Sequence, residues 1–169
     1  TVLMQEVLRG KGIGLARMLL KGRADPSIQD QRGHTPLMAA VEAGGERMAR
    51  LLLDGGADAN VQDPDGRTVL MQEVLRGKGF GLVRMLFEAR ADPSIQDQRG
   101  HTPLMAAVEA GGEIMAMLLL DAGADANVQD PDGRTVLMQE VLRGKGIGLA
   151  RMLLKGRADP SIQDQRGHT

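Results

Sequence analysis

The sequence predicts an all-α repeat fold, and three observations carry that prediction. First, the chain repeats itself: residues 1–35 and 135–169 are identical, and residues 1–67 and 68–134 differ at eight positions. Second, each 67-residue unit splits into related halves of 34 and 33 residues, marked off by Thr1, Thr35, Thr68, Thr102, Thr135 and Thr169. Third, each half holds two short apolar runs at helical spacing, divided by glycine and followed by a stretch of turn formers. Five repeats result, over 1–34, 35–67, 68–101, 102–134 and 135–168, and they are read as a single array spanning 1–169.

The first repeat opens on "VLMQEVL", continues through "RGKG" and enters "IGLARMLL". Taken alone, an apolar run, a glycine-rich loop with lysine and a helix are the order in which phosphates are cradled at a helix N-terminus. The letters fail that reading. A phosphate loop needs Ser or Thr after Gly-Lys, yet Lys11 is followed by Gly12, and a dinucleotide fingerprint would put its third glycine at Leu15. Aligned with "MAAVEAGGERMARLLL" of the next repeat, "VLMQEVL" becomes a helix and "RGKG" an inter-helix turn with one inserted residue. Arg9 and Lys11 keep anion binding open as the lesser alternative.

The second repeat shows the helix signals most clearly. Thr35 is placed to cap a helix with Pro36 at its first position, where a missing N–H does no harm. "LMAAVEA" then runs to Gly44 and Gly45, which stop it. "ERMARLLLD" is a second helix with Met48, Leu51 and Leu52 on one stripe, and Gly56 suits a left-handed C-cap. "ADANVQDPDGR" is a loop of Asp, Asn, Pro and Gly. The third to fifth repeats reuse these two patterns in alternation.

Composition limits what such a chain does. Hydrophobic residues make up 42% of it, but with two Phe, no Tyr or Trp and 11 Met the core must be aliphatic. A net charge of −1 gives no global attraction to nucleic acid or to an anionic membrane, and neither is expected as a partner. No apolar run approaches the roughly 18 residues of a membrane span. With no cysteine, disulfides and thiolate metal sites are excluded, and a cytoplasmic or nuclear setting is expected. His34, His101 and His168 sit at loop tips two repeats apart, too far to share a metal. "DPDGR" at Asp63 and Asp130 lacks the bidentate glutamate of a calcium loop and reads as a turn. Serine occurs only as Ser27, Ser94 and Ser161, so no nucleophile triad can form. The reading is of a protein that is no enzyme and has no metal and no cofactor.

"DGRTVLM", "GHTPLMAAVEAGG" and "LLLDGGADANVQD" resemble the ankyrin-repeat family over essentially the whole chain. The resemblance implies an ankyrin-type helix-turn-helix solenoid with projecting hairpin-like loops. It further implies a protein-interaction scaffold whose loop tips and first helices line a concave face. The implied contact positions are Gln29, Gln31, Arg32, His34, Gln62, Pro64, Asp65 and Arg67, with their copies Gln96, Gln98, Arg99, His101, Gln129, Pro131, Asp132 and Arg134. Basic "QRGH" alternates there with acidic "PDGR". Asn60 and Asn127 stand where ankyrin asparagines are hydroxylated, with loop support as the plainer role.

Three departures from the family pattern carry expectations of their own. Methionine replaces the loop-tying histidine at Met4, Met38, Met71, Met105 and Met138, which predicts looser loops. Glu6, Glu73 and Glu140 fall in a tightly packed slot, costly unless each reaches water or a basic partner. Arg23, Arg90 and Arg157 occupy the left-handed slot that suits glycine.

The eight differences between the copies are Ile13/Phe80, Ala16/Val83, Leu20/Phe87, Lys21/Glu88, Gly22/Ala89, Arg47/Ile114, Arg50/Met117 and Gly55/Ala122. All fall in or beside second helices. Ile114 and Met117 share one face at i and i+3, with Phe87 on the preceding second helix, and together they mark a candidate oligomer interface on the convex side. The rival reading to partner binding is therefore self-assembly, head to tail through repeats with no polar caps or through this patch. Near-perfect repetition also fits an engineered array or a recent duplication. A chain opening on Thr1 fits an excerpt of something longer.

Overall fold

The computed structural model describes residues 1–10, 12–77, 79–144 and 147–169. Lys11, the lysine of the first glycine-rich stretch, lies outside the described residues, as do Lys78, Lys145 and Gly146. Ten helices occur among the described residues: α1 (Val2–Arg9), α2 (Ile13–Lys21), α3 (Pro36–Glu42), α4 (Glu46–Asp54), α5 (Val69–Arg76), α6 (Phe80–Glu88), α7 (Pro103–Glu109), α8 (Glu113–Asp121), α9 (Val136–Arg143) and α10 (Ile147–Lys155). "VLMQEVL" is helix in each of its copies, and no strand forms among these residues.

Every helix pair begins at a threonine, exposed at Thr1 and buried in the four pairs that follow. The Thr35 hydroxyl accepts the Met38 N–H at 3.2 Å, and Thr68, Thr102 and Thr135 do the same at 3.3–3.4 Å. These four threonines are 1% exposed, so the cap also fills space in the core. Pro36 and Pro103 open their helices without losing a bond. Helix α3 ends at Ala43, and Gly44 turns the chain with φ 71°.

The chain forms two compact units, Thr1–Glu73 with Gly81–Asp92, and Val74–Phe80 with Pro93–Thr169. In the first unit α1 packs on α3 and α2 on α4, first helix to first helix and second to second. Leu3, Met4, Val7, Leu37, Met38, Val41, Met48 and Leu52 are buried between them. In the second unit α7 packs on α9 and α8 on α10, over Leu104, Met105, Val108, Met115, Leu119, Leu149 and Leu153. The Arg143 guanidinium spans these repeats, donating to Val108 O at 2.9 Å. Both cores are aliphatic, as the composition requires.

The glutamate slot is buried, at 8% exposure for Glu6 and 5% for Glu73 and Glu140. Glu6 meets its condition: Oε1 accepts from Arg9 Nη1 at 3.0 Å. Its other oxygen, Oε2, lies against Gly12, the N-cap of α2, so closely that a Cβ there would collide with it. That end of α2 has no acidic residue in its first turn, whereas α4 supplies Glu46. The carboxylate thus stands where the positive end of the helix dipole favours an anion.

Arg23, Arg90 and Arg157 adopt φ of 63°, 62° and 67°, the left-handed conformation the glycine slot demands. Gly56 and Gly123 fill the corresponding slots in the alternate repeats.

Candidate protein-binding surface

Each loop tip is organised by one aspartate. Asp30 Oδ1 accepts the N–H groups of Arg32 and His34 at 2.8 and 3.0 Å, while the Asp30 N–H donates to His34 O at 2.9 Å. Asp63, Asp97, Asp130 and Asp164 repeat that pattern. The His34 N–H, followed by that of Arg32, holds the Asp30 carboxyl below the usual carboxylate range; in Asp164 the His168 N–H does so first. The second oxygen of Asp63 accepts from Gln72 Nε2 at 2.9 Å, and that of Asp130 from Gln139 Nε2 at 3.1 Å, fastening each loop to a first helix.

Successive loops are then tied by glutamine. Gln29 Nε2 donates to Gly33 O in its own loop at 2.7 Å and to Gln62 O in the next at 2.8 Å. Gln96 makes the same two bonds to Gly100 O and Gln129 O, and Gln129 to Gly133 O and Gln163 O. The Pro64 ring lies over Gly33 and the Pro131 ring over Gly100, at a distance that leaves no room for a Cβ. The rigidity that the missing histidine put in question has other ties to rest on. Met38 is buried and its sulfur accepts only a weak 3.5 Å bond from the Thr35 N–H, but aspartate and glutamine make the ties that histidine would have made.

The sixteen loop positions consequently divide. Gln29, Gln62, Gln96 and Gln129 engage their amides within and between loops, and Pro64 and Pro131 pack on the loop before. Arg67 and Arg134 are half-buried and reach Asp65 and Asp132 at 3.6 and 3.4 Å. His34 and His101 are half-buried too, His101 lying 3.4 Å from Glu109. The exposed remainder is Gln31, Arg32 and Asp65 in the first unit, and Gln98, Arg99 and Asp132 in the second. Periodicity could not show this division, because all of these glutamines are exposed and only their hydrogen bonds set Gln29 apart from Gln31 two residues on.

Asn60 and Asn127 act as inter-repeat braces. Asn60 Nδ2 donates to Arg90 O at 3.2 Å and its Oδ1 accepts the Asp92 N–H at 2.8 Å; Asn127 does the same with Arg157 and Asp159. The brace spans the alanine that follows each left-handed arginine, Ala91 and Ala158. Ser27 stands in this slot in the first repeat and only accepts, from the Asp58 N–H at 3.0 Å.

Of the apolar candidates, Phe87 is half-buried in the first unit. Ile114 and Met117, in the second, are 59% and 45% exposed. Among the described residues no cluster of His, Asp or Glu could hold a metal, and no helix is long and apolar enough to cross a membrane.

Capped helix pairs, stacked like on like and joined by loops that brace one another, define a helical repeat protein. The family profile for ankyrin repeats matches residues 3–78 and 71–164, and the chain belongs to the ankyrin-repeat family. Its fold is the ankyrin helical solenoid. The ankyrin-repeat domain of Bcl-3, a member of the IkappaB protein family, is similar at TM-score 0.90 and 31% identity, over 100% of this chain and 75% of that one. An ankyrin-repeat domain from Acinetobacter baumannii AYE is similar at TM-score 0.86 and 27% identity, over 98% and 85% of the two chains. No curated protein matches the sequence. Ankyrin repeats are in general protein–protein interaction modules and typically non-enzymatic.

Proposed function

We propose that this chain is a protein-binding scaffold whose partner is read by the exposed loop-tip side chains and the adjoining first helices of one continuous array. One observation supports the reading above others. Gln31, Arg32, Asp65, Gln98, Arg99 and Asp132 project from turns whose backbones are fixed by aspartate and glutamine bonds. Side chains on pre-ordered backbone lose little freedom on binding, so more of each contact survives as affinity. Basic and acidic tips alternate, which suits a partner of mixed charge over a uniformly charged one. The test compares affinity capture by the native chain with Arg32→Ala/Asp65→Ala and Arg99→Ala/Asp132→Ala. A partner lost with the loop variants supports the reading; capture in which no partner is lost with either loop variant overturns it.

The exposure of Ile114 and Met117 favours a second reading, self-association through α8. Light scattering over a concentration series measures it. Ile114→Arg/Met117→Arg, which restores the residues of the first copy, should reduce the mass if this face is the contact. An unchanged monomer throughout removes the idea.

A further inference from the structure

The second-helix face of the first unit carries a groove of about 220 Å³ between α2 and α4, lined by Ile13, Arg17, Arg47, Arg50, Leu51 and Asp54. Arg47 and Arg50 are one helical turn apart on α4, and Arg17 faces them from α2; all three are exposed. Among the described residues, none of these guanidinium groups lies within ion-pair distance of a carboxylate. Glu46, which sits four residues before Arg50, turns instead toward Gly81 of α6. Asp54 at the rim is the one acidic group in the lining. The floor, Ile13 and Leu51, is apolar and half-buried.

The geometry points to this groove as a docking site for an acidic peptide segment of a partner protein, with carboxylates on the three arginines and an apolar side chain on Ile13 and Leu51. Guanidinium groups bind carboxylates with paired, charge-assisted bonds, and unpaired arginines gathered on one groove form a ready acceptor for them. Nucleic acid fits less well. The lining has no aromatic ring to stack a base, the positive charge is confined to three groups, and Asp54 would repel a phosphate backbone. The chain also holds its own control. In the second copy the places of Arg47 and Arg50 are taken by Ile114 and Met117 on the same helix face, so the repeat folds with either pair. This surface is separate from the loop tips, and the two can fail independently.

The test is fluorescence anisotropy of a short labelled peptide of glutamates and leucines, titrated with the full chain at low and at physiological salt. Binding is expected, weaker at the higher salt. Arg47→Ile/Arg50→Met should weaken it about tenfold, as loss of two charge pairs does, with the thermal melt unchanged. The loop variant Arg32→Ala/Asp65→Ala should bind as the native chain does. Equal binding by Arg47→Ile/Arg50→Met overturns the proposal, as does equal binding of the same peptide with glutamine for glutamate. So does loss with the loop variant, and so does no binding at all. Tighter binding of an oligouridylate would assign the groove to RNA instead. A chain whose sedimentation shows self-association abolished by Arg47→Ile/Arg50→Met would assign it to a second copy; both results overturn the peptide.

Discussion

At the scale of single residues, the chain carries one recurrent strain and answers it with one recurrent brace. A left-handed conformation costs a non-glycine residue about 1–2 kcal/mol, and Arg23, Arg90 and Arg157 all adopt it. Asn60 and Asn127 bind the carbonyl of two of these arginines and the N–H two residues further on, so they tie down the backbone that leaves the strained position. Glycine would remove the strain but add freedom to the unfolded chain, so Arg90→Gly should raise stability by about 0.5–1 kcal/mol in chemical denaturation. No gain would mean the arginine side chain returns what its backbone loses. The strained slot was legible in the sequence from alignment with Gly56. The brace was not, since its partners are some thirty residues away and backbone groups carry no letter of their own.

Among the elements, the turn between α1 and α2 is the one whose meaning changed most. Its glycines suggested a phosphate loop, and its alignment suggested a plain turn. In the structure the Glu6 carboxylate lies against Gly12 at the start of α2, without a side-chain hydrogen bond to that helix end. Gly12 is needed there for room, and Gly10 for its φ of 67°. Gly12→Ala should therefore destabilise the chain modestly, by up to about 1 kcal/mol, because the end of the flexible Glu6 side chain must swing away. Glu6→Ala/Gly12→Ala should recover part of that loss, because the alternate repeats pack alanine in the same slot at Ala40. Additive losses in this double-mutant cycle would show that the two positions are not coupled. Glutamate in an alanine slot was readable as an anomaly; its resolution depended on where the following helix begins.

For the whole molecule, Asp30, Asp159 and Asp164 predict a sensitivity of stability to acid. The carboxyls of Asp30 and Asp164 are held below the ordinary range by backbone N–H donors, and Asp159 by Ser161. A carboxyl with a lowered folded pKa contributes stability that is fully present above its unfolded value. That contribution is lost as pH falls through the folded value. Thermal melts should therefore be flat from neutral pH down to about pH 5 and fall steeply below about pH 4. A melting temperature insensitive to that drop would mean the loop ties contribute nothing.

The sequence by itself determined the helices, their caps, the repeat length and the family, because those follow from local chemistry. A threonine before a helix, a glycine after it and an apolar stripe along it act within a few residues, and fivefold repetition makes the pattern unmistakable. Tertiary structure alone decided which polar loop side chains tie one loop to the next. Gln29 and Gln31 differ by two positions and share a letter and an exposed setting, yet it is Gln29 that donates to Gln62 O of the next loop. It also decided that Arg17, Arg47 and Arg50 meet at one groove. Both outcomes depend on how successive repeats stack, and stacking brings together groups that the chain itself keeps a full repeat apart.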